Sequence, residues 1–204
     1  MPDSQPSTPI PFNANLRAVL PIGIPLGWSP ASQERRFRVR RSGNFCLLDE
    51  EGYELWVNAW LGPDPAALVD QLAIKWKREP EKVAADLTRF CEGRLLIKLV
   101  GDWQDDWLRV SRLRLIPRVA IVDGDITKGF QMLLAGGQLE MRMDVGYYSV
   151  WAFWDGTSTI EDSVAAAAEF SGLPRRVLQE RAHSLLVACV RASAIFLDST
   201  DKGD

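Results

Sequence analysis

The strongest constraint on this chain is that it carries one pattern of residues twice. A shift of about 94 positions lays the middle of the chain on its C-terminal half without a gap. Gly43 then falls on Gly137, Gly52 on Gly146, Tyr53 on Tyr147, Trp60 on Trp154 and Gly62 on Gly156. Ala73 falls on Ala167, Pro80 on Pro174 and Val83 on Val177. Upstream, Leu20-Pro21-Ile22-Gly23-Ile24 resembles Ile116-Pro117-Arg118-Val119-Ala120, displaced by a few residues. A Trp, a Tyr, a Pro and several Gly in one register indicate a duplicated module.

The 204 residues divide into two modules of roughly 90 residues each, near the lower limit for a self-sufficient core. Such modules gain stability by packing on each other. Residues 1–13, rich in Pro and Ser, read as a loose tail; 14–100 read as the first module, 101–198 as the second, and 199–204 as a polar end. Eight Trp, largely clustered in pairs, supply anchors for cores or interfaces.

Hydrophobic periodicity gives each module a small sheet followed by helices. In the first, residues 20–27 form an irregular strand, and 35–41 pairs with 44–49 around Ser42-Gly43. The counterpart hairpin runs through 130–134, a turn at Gly136-Gly137 and 138–143. There a two-residue loop places Phe130, Met132, Leu134, Leu139, Met141 and Met143 on one face. Carried across the repeat, this puts Phe45 and Leu47 in the core, with a three-residue loop at 42–44. Because side chains alternate along a strand, Cys46 and Leu48 then face outward.

Helices follow over 53–61, stopped by Gly62, and over 65–77, capped by Asp64 with Pro65 in its first turn. A third opens at Pro80, turns Val83, Leu87, Phe90 and Cys91 inward and stops at Gly93. Residues 95–100 and 107–115 read as strands around a solvated loop, Gly101–Asp106. The second module repeats the helices over 147–155, from a Ser158/Thr159 cap, and from Pro174 to about Phe196. The expected fold class is α+β: two tandem winged-helix-like modules, each a small antiparallel sheet followed by three helices.

Catalytic signatures are absent from the sequence. The single histidine, His183, sits within a helix and reads as structural. No Cys–His spacing suits zinc, Asp102, Asp105 and Asp106 lack the spacing of a calcium loop, and there is neither a P-loop nor a GxGxxG. The expectation is no enzyme, no metal and no cofactor. A formal net charge of −3 argues against a dedicated nucleic-acid binder. Three cysteines without a CxxC pair, no signal peptide and no membrane-length apolar run point to a reduced, cytoplasmic chain. The conspicuous polar feature is Arg35, Arg36, Arg38, Arg40 and Arg41. Alternate arginines on one strand project to one face, where they either solvate an edge or hold an acidic peptide or phosphates.

The run Leu48-Asp49-Glu50-Glu51-Gly52-Tyr53-Glu54-Leu55-Trp56, then Trp60-Leu61-Gly62, the capped helix 65–77 and the segment 80–97 ending Arg94-Leu95-Leu96-Ile97 resembles a PqqD-like domain. So does Met143-Asp144-Val145-Gly146-Tyr147-Tyr148-Ser149-Val150-Trp151-Ala152-Phe153-Trp154-Asp155-Gly156. The resemblance covers roughly 36–97 and 130–197. It implies a winged-helix-like, non-catalytic domain of ribosomal-peptide maturation that binds a precursor or leader peptide as an added strand, in a groove between sheet and third helix. The second module departs from the pattern: its third helix is longer, and the usual Gly before the closing strand is missing. This points to the first module as the binder.

The expected function is thus a peptide-binding chaperone or scaffold that presents a precursor polypeptide to a partner modifying enzyme. The alternatives are a tandem winged-helix DNA-binding regulator and a structural adaptor in a larger complex. The expected peptide site comprises Arg38, Arg40, Cys46 and Leu48 on the hairpin, with Leu87 and Arg89 on the third helix. With Leu48 outward, Leu48→Asp is expected to weaken peptide binding and leave the fold intact.

Overall fold

A computed structural model of the chain describes residues 16–29, 35–125, 129–134 and 143–200, with only the backbone described at 120–125 and 129–134. The turn expected at Gly136-Gly137 and most of the strand expected over 138–143 lie outside the described residues. The protein is α+β. Strands β1 (Arg17–Pro21), β2 (Ile24–Trp28), β3 (Phe37–Arg41) and β4 (Asn44–Leu48) open the first module. Helices α1 (Glu50–Asn58), α2 (Pro65–Trp76) and α3 (Pro80–Glu92) follow, and β5 (Leu96–Val100) closes it. Strand β5 returns to pair antiparallel with β1, while β2, β3 and β4 form a separate antiparallel sheet in that order.

After a linking helix, α4 (Trp103–Val110), the same order recurs. It runs through β6 (Leu113–Pro117), β7 (Val119–Asp125) and β8 (Gly129–Leu134), then α5 (Val145–Ala152), α6 (Ile160–Ser171), α7 (Arg175–Arg191) and β9 (Ile195–Ser199). Strand β9 pairs with β6 as β5 does with β1, and β7 pairs with β8 as β2 does with β3. Even the irregularity recurs: a register shift falls between Pro25 and Gly27 in β2, and between Ile121 and Asp123 in β7.

The helix caps correct the register of the repeat. Asp49 caps α1 by accepting from the Gly52 N–H, and Asp144 caps α5 by accepting from the Tyr147 N–H. Asp64 caps α2 and Thr159 caps α6. Each pair is one position out of step with the gap-free alignment, so Trp56 corresponds to Trp151, and Val83 to Leu178 rather than Val177. Burial agrees, because Trp56, Trp151, Val83 and Leu178 are all core residues whereas Val177 is exposed. Among the described residues, only Trp60 with Trp154, and Gly62 with Gly156, keep the shorter shift. The second module is one residue shorter before its glycine and one longer after it. Trp154 is buried, but Trp60 is only half-buried.

Three expected elements differ. Helix α1 begins at Glu50, not 53, because Asp49 supplies its cap. Residues 101–106 are no loop: Asp102 caps α4 by accepting from the Gln104 and Asp105 N–H groups. The last helix stops at Arg191, and a closing strand follows although no glycine precedes it. The reason lies in the backbone. In the first module the left-handed residue after α3 is Arg94, at φ 53°, not Gly93. Ser193, at φ 55°, takes that place after α7, and the Ala194 N–H donates to Cys189 as the Leu95 N–H does to Phe90. A glycine is not what this helix end requires.

The β1–β5 ladder is the wall between two cores. Ala18 and Leu20, opposite Leu99 and Ile97, face the core built on Tyr147, Trp151, Leu185 and Leu186. On the other face, Val19 and Leu96 join Trp56, Leu68, Leu72 and Phe90. This two-sided burial explains why β1 reads as an unbroken apolar run. The β6–β9 ladder is also shared: its inward Leu115 and Leu197 fill the second core, while Phe196 meets Trp60 edge-on at 5.2 Å. The Gly23 N–H donates to the Leu197 carbonyl at 2.7 Å, joining the ladders. At φ +112° and with Val39 Cγ1 only 2.6 Å from where a Cβ would stand, Gly23 admits no side chain.

Because one ladder serves both cores, the modules should unfold together. We predict a single calorimetric transition for the wild-type chain, and for Leu20→Ala a single transition at lower temperature with a loss of about 2–5 kcal/mol. Two resolved transitions, with Leu20→Ala moving only one, would contradict a shared wall.

Candidate functional site

Among the described residues, β4 has a partner on one side only. Its register is set by the turn before it. Ser42 and Gly43 both have positive φ, 47° and 84°, which is the backbone of a two-residue type I′ hairpin. Gly43 provides the second of these at no steric cost. The turn is tied down from the second module: the Ser42 N–H donates to Asp198 Oδ1 at 2.8 Å, and its hydroxyl bonds the Ser199 carbonyl. Asp198 is itself held by Arg114 at 3.1 Å.

A two-residue turn pairs Arg41 with Asn44, Val39 with Cys46 and Phe37 with Leu48. The expected three-residue loop at 42–44 is therefore overturned, and every β4 side chain lies on the opposite face from that expectation. Leu48 is 7% exposed in the first core, where Phe37 stacks on Tyr53 with ring centroids 4.2 Å apart. Phe45 and Leu47 point outward, 62% and 57% exposed, across from Arg40 and Arg38.

The structure thus separates the six expected site residues. Arg38 and Arg40 share the outer sheet face with Leu47 and Phe45. Cys46 and Leu48 face inward, so neither lies under a strand laid on that outer face. Leu87 is buried in the core rather than lining a groove, because it lies on the apolar stripe of α3 with Val83 and Phe90. Arg89 is exposed on α3 and donates to Asp86 at 2.7 Å.

A cleft of about 450 Å³ runs between the β4 edge and α3. Leu47 and Asp49 stand on the strand side, Arg89 and Phe90 on the helix side, and Trp76 lines it from α2. Arg78 spans the cleft's charges, donating to Glu51 at 2.7 Å and to Asp86 at 2.8 Å. Arg78 thus ties α1 to α3 across the cleft, and the last two residues of β4, Leu47 and Leu48, reach it from the strand side. Sequence reasoning missed Phe45, Leu47 and Arg78. The available signal was Ser42-Gly43 itself, a dipeptide suited to a two-residue turn between alternating strands.

Among the described residues, the C-terminal half of the second module's third helix has no comparable opening. Every residue of α7 from Ala182 to Val190 is buried, packed by α4, α5, α6 and β1. His183 lies in this run, fully buried, with Nε2 3.3 Å from Asp106 Oδ2. Asp106 also accepts the Val100 N–H at 2.8 Å and the Gly101 N–H at 3.2 Å, so it is a buried tie rather than part of a solvated loop. A histidine without solvent access cannot exchange protons with a substrate.

No family model, no curated protein and no solved structure matches this chain. The resemblance to PqqD-like domains therefore rests on its own residues. No helix among the described residues is long and apolar enough to cross a membrane.

Two predictions follow from this packing. Leu48→Asp should cost about 3 kcal/mol or more, since it puts a charge in the core, whereas Leu47→Asp should stay within about 0.5 kcal/mol of wild type in urea unfolding. Equal losses would return the hairpin to the other register.

The second concerns pH. Burial holds the His183 pKa below its ordinary 6.5, against the pull of Asp106 and Asp102. The unfolded chain then takes up a proton near pH 6.5 that the folded chain resists, so stability present above that pH is lost as pH falls through it. The expected loss between pH 7.5 and 5.5 is up to about 1.4 kcal/mol. Since His183 is the only histidine, His183→Gln should flatten that slope. Stability that rises on acidification would mean that His183 is instead favoured in its charged form.

Proposed function

We propose that the first module binds an extended polypeptide as an added strand along β4, and that the protein is a non-catalytic peptide-binding chaperone or scaffold. The carrying observation is that β4, among the described residues, is paired on one side only, with its C-terminal end beside a 450 Å³ cleft whose far wall is α3. An unpaired edge presents main-chain donors and acceptors in a fixed row, and side pockets then select the peptide. Leu47 supplies an apolar contact at the cleft, and Phe45 extends that apolar surface along the outer sheet face. The resemblance to PqqD-like domains supports the same mode and suggests the biological setting: presentation of a precursor polypeptide to a modifying enzyme. The buried α7 favours the first module over the second.

A random peptide library displayed on phage, panned on the whole protein, tests this reading. Peptides that bind in extended form should be enriched, and Leu47→Asn should weaken them roughly tenfold or more, the worth of one buried leucine contact. The control Ile74→Asn, on the exposed face of α2, should bind as wild type. Peptides that bind Leu47→Asn and wild type equally well would remove β4 from the site. Tighter binding of duplex DNA than of any selected peptide would replace the reading with a DNA-binding one.

A further inference from the structure

A second cleft, of about 330 Å³, lies where the two modules meet. Its floor is apolar and draws on both: Ile22 and Leu96 from the first module, Leu113 from β6. Leu108, on the linking helix α4, stands at it 81% exposed. Around this floor stand four cations from separate segments: Arg94 after α3, Lys98 on β5, Arg109 on α4 and Arg112 after α4. Among the described residues, no carboxylate lines the cleft. Among the described residues, no ion pair engages Lys98, Arg109 or Arg112. In a chain with net charge −3, Lys98, Arg109 and Arg112 gathered on one cleft run against the overall balance.

Two of these cations, Lys98 and Arg109, meet at one place. Cys91, at the C-terminal end of α3, is half-buried in this cleft, and burial raises its thiol pKa. Lys98 and Arg109, from two other elements, both act on it in the opposite sense, while Glu92 adds to the rise. Low-dielectric walls around like charges strengthen their field at the cleft.

The cleft also adjoins the β4 edge. Arg41, paired with the first residue of β4, donates to the Gly93 carbonyl beside Arg94. Ser42 bonds Ser199, which itself lines the cleft. A chain leaving the Asn44 end of β4 thus arrives at the Arg94 side of the cleft.

From this geometry we infer that the inter-module cleft is an anion site for carboxylate side chains of a polypeptide, with Lys98, Arg109 and Arg112 as the binding cations and Leu108 as the apolar contact. That the anion belongs to a polypeptide rests on the reading of β4; that the ligand is anionic rests on the cleft alone. The mixed lining selects acidic residues interleaved with apolar ones, because a bare anion leaves the floor wet and an apolar segment leaves the cations unpaired.

The test uses the whole protein and two fluorescein-labelled peptides, one of alternating Leu and Glu and one of alternating Leu and Gln, followed by fluorescence anisotropy. The Glu peptide should bind at least tenfold more tightly than the Gln peptide. That preference should vanish in the triple variant Lys98→Ala/Arg109→Ala/Arg112→Ala, whose exposed positions leave circular dichroism and melting temperature unchanged. It should also shrink as salt is raised. Equal binding of the two peptides, or a preference that survives in the folded triple variant, overturns the proposal. A single-stranded oligonucleotide that displaces the Glu peptide at lower concentration than the unlabelled Glu peptide overturns it too, in favour of a phosphate ligand. Leu47→Asn separates the two readings. If it weakens both peptides equally while the triple variant changes nothing, strand addition at β4 stands and the anion site falls. If only the triple variant matters, the anion site stands without β4.

Discussion

Strand β1 is buried on both faces, and the remaining architecture follows from that condition. A two-stranded ladder cannot be covered on both sides by a module of this size. In the first module one face of β1–β5 meets the helices α1–α3, and the other would be open. The second module closes it with Trp151, Leu185 and their neighbours. Leaving Ala18, Leu20, Ile97 and Leu99 in water would forfeit several kcal/mol of burial. The second core is thus completed by first-module residues, and the far face of β1–β5 is kept from water by that core.

The same condition makes the two halves unequal. The stretch Ala182–Val190 of α7 is buried, with β1 and α4 packed on the helix, whereas α3 keeps an exposed face beside β4. Helix α7 also runs four residues, about one turn, beyond the length of α3. Its extra turn lengthens the buried stretch that meets β1. One copy thereby becomes the partner that completes the core, and the other remains open at its edge. A duplicated module is free to divide these roles once its two cores share a wall.

The helices were legible because their ends are written in side chains. Asp64, Pro65, Thr159 and the glycine after Leu61 mark boundaries that the structure keeps within a residue or so. Helix α4 and strand β9 were less legible. Asp102, Asp105 and Asp106 resemble a solvated loop until one asks which of them caps and which is buried; that depends on His183, distant in sequence. Strand β9 was hidden because its left-handed lead-in uses Ser193 where glycine is the usual signal. The repeat register failed by one residue for a similar reason. A deletion before Gly156 and an insertion after it cancel, so Trp154 stays aligned while both flanking helices shift.

The hairpin shows why an apolar pattern alone cannot choose a sheet face. Phe45 and Leu47 are as hydrophobic as Cys46 and Leu48, and either pair could have filled the core. What decides is the turn, and the turn is decided partly from outside the module, by Asp198 and Ser199 on β9. Those contacts fix Ser42 in a left-handed conformation that serine disfavours. A shift of β4 by one residue would trade Leu48 for Leu47 in the core, at little cost in hydrophobicity, but would break the tie to β9. The cost of the observed register is an exposed apolar edge, a known hazard for aggregation. Arg38 and Arg40, on the same face, blunt that hazard by charge without covering the edge. A protein with no use for the edge would be expected to place Lys or Pro on β4 itself. This strand, Asn44-Phe45-Cys46-Leu47-Leu48, carries neither.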